Sequence, residues 1–195
     1  MNITIKPLTT ELAADYFDFF ENRAFTDDSP YRCYCQIYQM SKTDYRTSCD
    51  NCDEADAGRV SREIAEQQIE KGALRGYLAY DDGISIGWCN SNDRANYPAE
   101  QPNDDPFYAP AEKREKAVVC FEIAPEYRMK GVATALLQRV ITDAKTEDYI
   151  AVVGFPDMRD ERYEWDCRGP IRLYEKNGFV KIEEHDKRAI MRKEL

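Results

Sequence analysis

AVVCFEIAPEYRMKGVATALLQRVITDAK, residues Ala117 to Lys145, runs an apolar strand pattern through a glycine turn straight into an amphipathic helix. At such a junction the first helical N–H groups have no intrahelical partner, and the helix dipole adds partial positive charge to them. A diphosphate can accept from those groups. A side chain at Gly131 would stand between ligand and backbone, and the small Ala133 and Thr134 keep the next turn open. Val132, Leu136, Leu137, Val140, Ile141 and Ala144 repeat at helical spacing, so one face packs and the glycine falls at the N-terminus. The same pattern also describes an ordinary strand–helix turn with a spacing glycine.

Outward from this core the elements follow in order. Asn2–Lys6 alternates like a short edge strand, and Leu12, Tyr16, Phe19 and Phe20 share one helical face. Residues Glu54–Lys71 have a helix-forming composition, with Val60, Ile64 and Ile69 inward and Gly72 as C-cap. Strands Arg75–Tyr80 and Ile84–Cys89 are joined by Asp81-Asp82-Gly83, a tight-hairpin sequence. Between Asn90 and Lys116, Pro98, Pro102, Pro106 and Pro110 interrupt any period, which reads as a long loop, either a substrate lid or disordered. Tyr149–Phe155 reads as a buried fifth strand, and Phe179–Glu184 with Arg188–Arg192 as a closing hairpin around His185-Asp186.

A chain of 195 residues with 43% hydrophobic content supports one sizeable core, and a single domain over residues 1–195 is expected. No apolar run reaches membrane-span length and the N-terminal MNITIKPLTT has no signal-peptide core, so a cytoplasmic protein without a membrane partner is expected. The seven cysteines are then read as thiols. A net charge of −10 without a basic block argues against nucleic acid as a partner. It suits a cationic amine substrate, although solubility explains it equally well.

Arg128-Met129-Lys130-Gly131-Val132-Ala133 resembles the acyl-CoA signature Q/R-x-x-G-x-G/A of the GCN5-related N-acetyltransferase (GNAT) superfamily. Downstream, IRLYEKNGF (Ile171–Phe179) resembles that superfamily's late helix and its exit, L-Y-x-x-x-G-F. Together the two motifs span about residues 115 to 182. The resemblance implies an α+β fold: a mixed sheet of six or seven strands, splayed between the fourth and fifth, flanked by about four helices. It implies acetyl-CoA as cosubstrate, no metal, and acetyl transfer to a primary amine of a small molecule or peptide by direct attack in a ternary complex. A homodimer is possible in such a family. A non-catalytic acyl-CoA sensor or interaction module on the same fold is the alternative.

By the same resemblance, backbone amides of Arg128, Met129, Lys130, Gly131, Val132, Ala133 and Thr134 would hold the diphosphate, with Arg128 and Lys130 adding charge. The main chain of Cys120, Phe121 and Ile123 would pair with pantetheine, and an N–H there would polarise the thioester carbonyl. Tyr174 occupies the position of the family's frequent general acid, where a phenol can donate to the departing thiolate. Glu122 is the one ionisable residue in AVVCFEIA, costly on a central strand unless paired or facing a cavity, and is the candidate base or amine-binding anion. The sequence departs from the family at Cys167, where Asn is frequent, so the usual side-chain contact to the cofactor arm is in doubt; Pro170 still suits a first helical turn. Cys33, Cys35, Cys49 and Cys52 offer four zinc ligands, but C-x-C is tighter than usual, and a packed Tyr31–Tyr38 segment beside the cleft competes with that reading. Cys120 is expected to be a core thiol and His185 an exposed turn residue.

Overall fold

The structure, a computed structural model, describes residues 1–27, 33–48, 52, 54–100, 102, 114–158, 167–185 and 187–195. Its strands are β1 (Ile3–Pro7), β2 (Gly76–Asp81), β3 (Ile84–Asp93), β4 (Glu115–Ile123), β5 (Ala151–Gly154), β6 (Val180–His185) and β7 (Arg188–Glu194). The helices are α1 (Ala13–Asn22), α2 (Lys42–Ser48), α3 (Glu54–Glu70), α4 (Val132–Thr146) and α5 (Ile171–Lys176). All seven strands form one mixed sheet in the order β1-β2-β3-β4-β5-β7-β6, parallel only between β4 and β5. That parallel pair requires a crossover, and α4 supplies it.

The sheet separates two apolar layers. Tyr16, Phe19 and Phe20 of α1 pack with Trp88, Val119, Cys120 and Phe155 on one face. Leu136, Leu137 and Val140 of α4 pack with Val118, Phe121, Val152, Tyr174 and Met191 on the other. The apolar positions read as the inner face of α4 include Val132, Leu136, Leu137, Val140 and Ala144, all buried. Leu12, expected on the first helix, lies in a preceding 3-10 turn, Thr10–Leu12.

Two boundaries differ from expectation. β3 continues four residues beyond Cys89 to Asp93, because Ser91, Asn92 and Asp93 still pair with Val118, Ala117 and Lys116 of β4. A 3-10 turn over Arg94–Asn96 follows, so the segment expected to be loop from Asn90 is regular at both ends. Pro106 and Pro110 lie outside the described residues, as do Tyr31, Cys49 and Asp186. α2 was not anticipated: KTDYRTS has no apolar face and buries no residue, so periodicity carried no signal for it.

β4 and β5 pair only from Glu115↔Ala151 to Val118↔Gly154. Beyond that point β4 continues to Ile123 against β3 alone, so the sheet splays there. Gly154 sits at the divergence, where a Cβ would lie 2.1 Å from the Tyr174 ring. Only glycine lets α5 lay that tyrosine across the end of β5. Gly154→Ala is therefore expected to lower stability by about 1–3 kcal/mol through overpacking, read by urea unfolding; an unchanged midpoint would show that the ring is free to move aside.

Candidate active site at the β4–β5 splay

Strand alternation sets which groups meet here. Cys120 joins the α1 face, whereas Phe121 and Ile123 pack on the α4 face. The β4 backbone alternates as well: Glu122 faces Trp88 of β3 in the ladder, and Ala124 N–H donates to the Ile86 carbonyl at 3.0 Å. The amide of Phe121 then faces the splay. A buried N–H must be satisfied, and here it donates to the carbonyl of Cys167, which crosses to β4 from the segment before α5.

The next carbonyl of that segment is also engaged. Tyr174, fully buried, donates its hydroxyl to the Arg168 carbonyl at 2.8 Å. Its ring meets Phe179 edge-on at 5.3 Å. Consecutive carbonyls at 167 and 168 thus accept from the Phe121 amide and the Tyr174 phenol.

Past the end of β4, Pro125–Tyr127 forms a 3-10 turn and the chain enters α4 through two left-handed residues, Met129 at φ 62° and Gly131 at φ 87°. Two left-handed residues with one residue between them bend the chain sharply into the helix start. Gly131 is the N-cap of α4, no side chain caps it, and the first turn holds no acidic residue. A Cβ built at Gly131 meets no protein atom within 4 Å. The helix start is therefore an uncapped set of donors with nothing of the protein packed against its glycine.

Arg128 points inward. Its Nε donates to the Ile123 carbonyl at 3.0 Å, one terminal nitrogen pairs with Asp27, and the other lies 3.5 Å from Glu122 Oε1. The guanidinium therefore braces the end of β4. Lys130 lies with Nζ 5.4 Å from the centre of the Tyr127 ring. Burial pushes the Glu122 carboxyl up to about 7, against the opposing pull of Arg128. A carboxyl at that value is half-ionised near neutrality.

Beneath the splay four cysteines from three parts of the chain gather. The thiols of Cys167 and Cys35 lie near enough to Cys120 to raise its sulfhydryl, and Cys33 is raised by burial and by Cys35, with Cys167 and Glu122 contributing. Cys35 has a left-handed backbone, φ 54°, unusual for a side-chain-bearing residue. Buried Asn90 holds it, donating to its carbonyl at 3.2 Å and its Sγ at 3.3 Å. Tyr38 Oη lies 3.2 Å from Cys167 Sγ. The described cysteines are all thiols. Cys33 and Cys35 thus face Cys120 and Cys167, and among the described residues no group of His, Cys, Asp or Glu is arranged to hold a metal. Cys120 is a core thiol as expected, while His185 is exposed beside Glu183.

This fold has known counterparts. The profile of the acetyltransferase (GNAT) family matches residues 34–179. The chain belongs to this family. Similar solved structures include the PaiA N-acetyltransferase of Thermoplasma acidophilum in complex with coenzyme A, at 15% identity, TM-score 0.56 and 100% coverage of both chains. The ribosomal-protein-S5-alanine acetyltransferase of Vibrio fischeri aligns at 12% identity and TM-score 0.59, over 100% of this chain and 93% of its own. An N-acetyltransferase of Staphylococcus aureus Mu50 aligns at 17% identity and TM-score 0.54, over 100% and 99%. At these identities the likeness is one of fold. No curated protein sequence matches the chain. No helix among the described residues is long and apolar enough to cross a membrane.

Sequence reasoning named Glu122, Arg128, Gly131 and Tyr174 but missed Asp27, Gly154 and the carbonyls of Cys167 and Arg168. Asp27 is remote in sequence, and carbonyls carry no residue signature; Gly154 alone was legible, as a glycine ending an apolar strand. Because Arg128 opposes the rise at Glu122, Arg128→Met is expected to move the Glu122 midpoint above 7. A carboxyl-carbon NMR titration reads it, and a lower or unchanged midpoint would mean the guanidinium does not act on that carboxyl.

Proposed function

We propose that this protein transfers an acetyl group from acetyl-CoA to a primary amine of a small molecule or peptide, by direct attack in a ternary complex. The observation that carries the reading is the continuity of a one-sided β4 with an uncapped α4 N-terminus. A strand edge with donors to offer runs directly into a cradle for phosphate. The family membership and the coenzyme A bound to the Thermoplasma neighbour support the same ligand.

In this reading the amides from Met129 to Thr134, with the peptide of Arg128 leading in, hold the diphosphate. Lys130 adds charge beside them, and Arg128 acts through its brace on β4. The backbone of Cys120, Phe121 and Ile123 takes the pantetheine arm, and the Phe121 N–H donates to the thioester oxygen as its charge grows. Glu122 takes the proton of the substrate ammonium, directly or through water, so that the neutral amine can attack, and its position near 7 suits that task. Tyr174 returns a proton to the departing thiolate. For both donors to act, the carbonyls of Cys167 and Arg168 have to give way to the ligand.

The acceptor's chemistry is bounded by charge. A net charge of −10 favours a cationic amine, and the S5-alanine acetyltransferase among the neighbours supports peptide N-termini as one class to screen.

Calorimetry with acetyl-CoA is expected to show micromolar binding that Gly131→Glu abolishes. A folded wild type that binds nothing would end the transferase reading. Once an acceptor is in hand, Tyr174→Phe is expected to lower kcat by about 10²–10⁴-fold with acetyl-CoA affinity kept. Binding without turnover of any amine would instead favour an acyl-CoA sensor. The base form of Glu122 is the ionised one, so kcat/KM should rise with pH through about 7 and Glu122→Gln should remove that rise; a step that survives the substitution would belong to the amine.

A further inference from the structure

The four gathered thiols are not used by the chemistry above. Cys120 lies on β4 and Cys167 on the segment that lies across the splay, and the Cys167 thiol is near enough to Cys120 to raise its sulfhydryl. The amide following Cys120, that of Phe121, donates to the carbonyl of Cys167. A single peptide hydrogen bond between these backbones is compatible with the Cα separations of roughly 4.4–6.8 Å found across disulfides. Tyr174 anchors the same segment one residue later through the Arg168 carbonyl. Joining the two sulfurs would therefore hold in place a segment whose carbonyl already occupies the Phe121 amide.

We propose that Cys120 and Cys167 form a reversible disulfide that pins the 167–168 segment across the splay and shuts the acyl-CoA slot. The proposal rests on the acyltransferase reading, since the slot is the one assigned to the cosubstrate. Of Cys167, Cys120 and Cys35, Cys167 is half-buried, whereas Cys120 and Cys35 are 3% and 1% exposed, so an oxidant reaches Cys167 first. With hydrogen peroxide, the Cys167 thiolate attacks the O–O bond, an S–O bond forms, and the leaving hydroxide is protonated to water. Cys120 then attacks the sulfenic sulfur; the S–S bond forms, the S–O bond breaks and a second water departs. Two thiols lose two electrons and two protons in all, and the peroxide is reduced to two waters. A dithiol reverses the step by exchange.

The neighbouring Cys167 and Cys35 thiols, and then burial, hold the Cys120 sulfhydryl above its ordinary range, so its thiolate is scarce and Cys167 has to be activated first. Cys35 also raises the Cys120 sulfhydryl, but it is held in its own turn by Asn90 and carries no segment that crosses the splay. A Cys35–Cys120 bridge would leave the slot open.

The test treats the full chain with hydrogen peroxide and maps its peptides without reduction, alongside calorimetry with acetyl-CoA before oxidation, after it, and after dithiothreitol. The expected result is a Cys120–Cys167 bridge, at least a tenfold loss of affinity, and recovery on reduction. Cys167→Ser is expected to keep its affinity through the same treatment. A Cys35–Cys120 bridge, or no bridge, overturns the pair. A mapped Cys120–Cys167 bridge with affinity unchanged overturns the lock alone, while the transferase reading stands. Reduced wild type that binds no acetyl-CoA overturns that reading, and the lock with it.

Discussion

Past Val118 the backbone of β4 has a neighbouring strand on one side only, and the rest of the site follows from that. Where β5 turns away at Gly154, the Phe121 amide faces a gap in an otherwise closed ladder. An N–H left unsatisfied in that setting would cost about 1–3 kcal/mol. Either a ligand or the chain itself has to supply an acceptor, and here the chain supplies the Cys167 carbonyl. The splay, the position of α5 and the course of the segment before it are thus parts of one hydrogen-bonding requirement.

Alternation along the same strand divides the labour between the two faces. On the α4 side, Phe121 and Ile123 pack against the crossover helix whose uncapped N-terminus is the proposed anion cradle. Toward α1, Cys120 meets the other thiols, and Glu122 lies between Arg128 and the thiol group. Burial raises Glu122 and Arg128 restrains it. Because Asp27 shares the guanidinium, the restraint on Glu122 is incomplete. The outcome is a carboxyl near 7 in a mostly buried site, which neither burial alone nor a full ion pair would give.

What the sequence made legible follows the same physics. The apolar period of Val132, Leu136, Leu137, Val140 and Ala144 announced α4 because a helix face against a sheet repeats in sequence. The Asp81-Asp82-Gly83 hairpin and the closing β6–β7 pair were equally local. Motif resemblance carried the mixed sheet and the splay between its fourth and fifth strands. Missing were features built from distant residues: Asp27 on Arg128, Asn90 on Cys35, Cys167 on Phe121. The cysteines show the difference most clearly. Spacing suggested grouping Cys33 and Cys35 with Cys49 and Cys52, whereas the topology places the first two against Cys120 and Cys167, which the sequence holds far apart.

Self-occupation of the splay also sets the scale on which the site can be opened. The two contacts that hold the 167–168 segment each contribute a net of about 0.5–1.5 kcal/mol. Displacing both is therefore a modest toll, about one to two decades of affinity at most, since 1.4 kcal/mol corresponds to a factor of ten. A ligand that offers its own carbonyl to the Phe121 amide and its sulfur to the Tyr174 phenol replaces both donors' partners, so only the freed carbonyls of 167 and 168 are left to water. Closure by hydrogen bonds alone thus yields readily to a ligand that mimics it. A covalent bond between the same two positions has no such competitor, which is why thiol chemistry at Cys120 and Cys167 has more leverage on this site than any noncovalent contact around it.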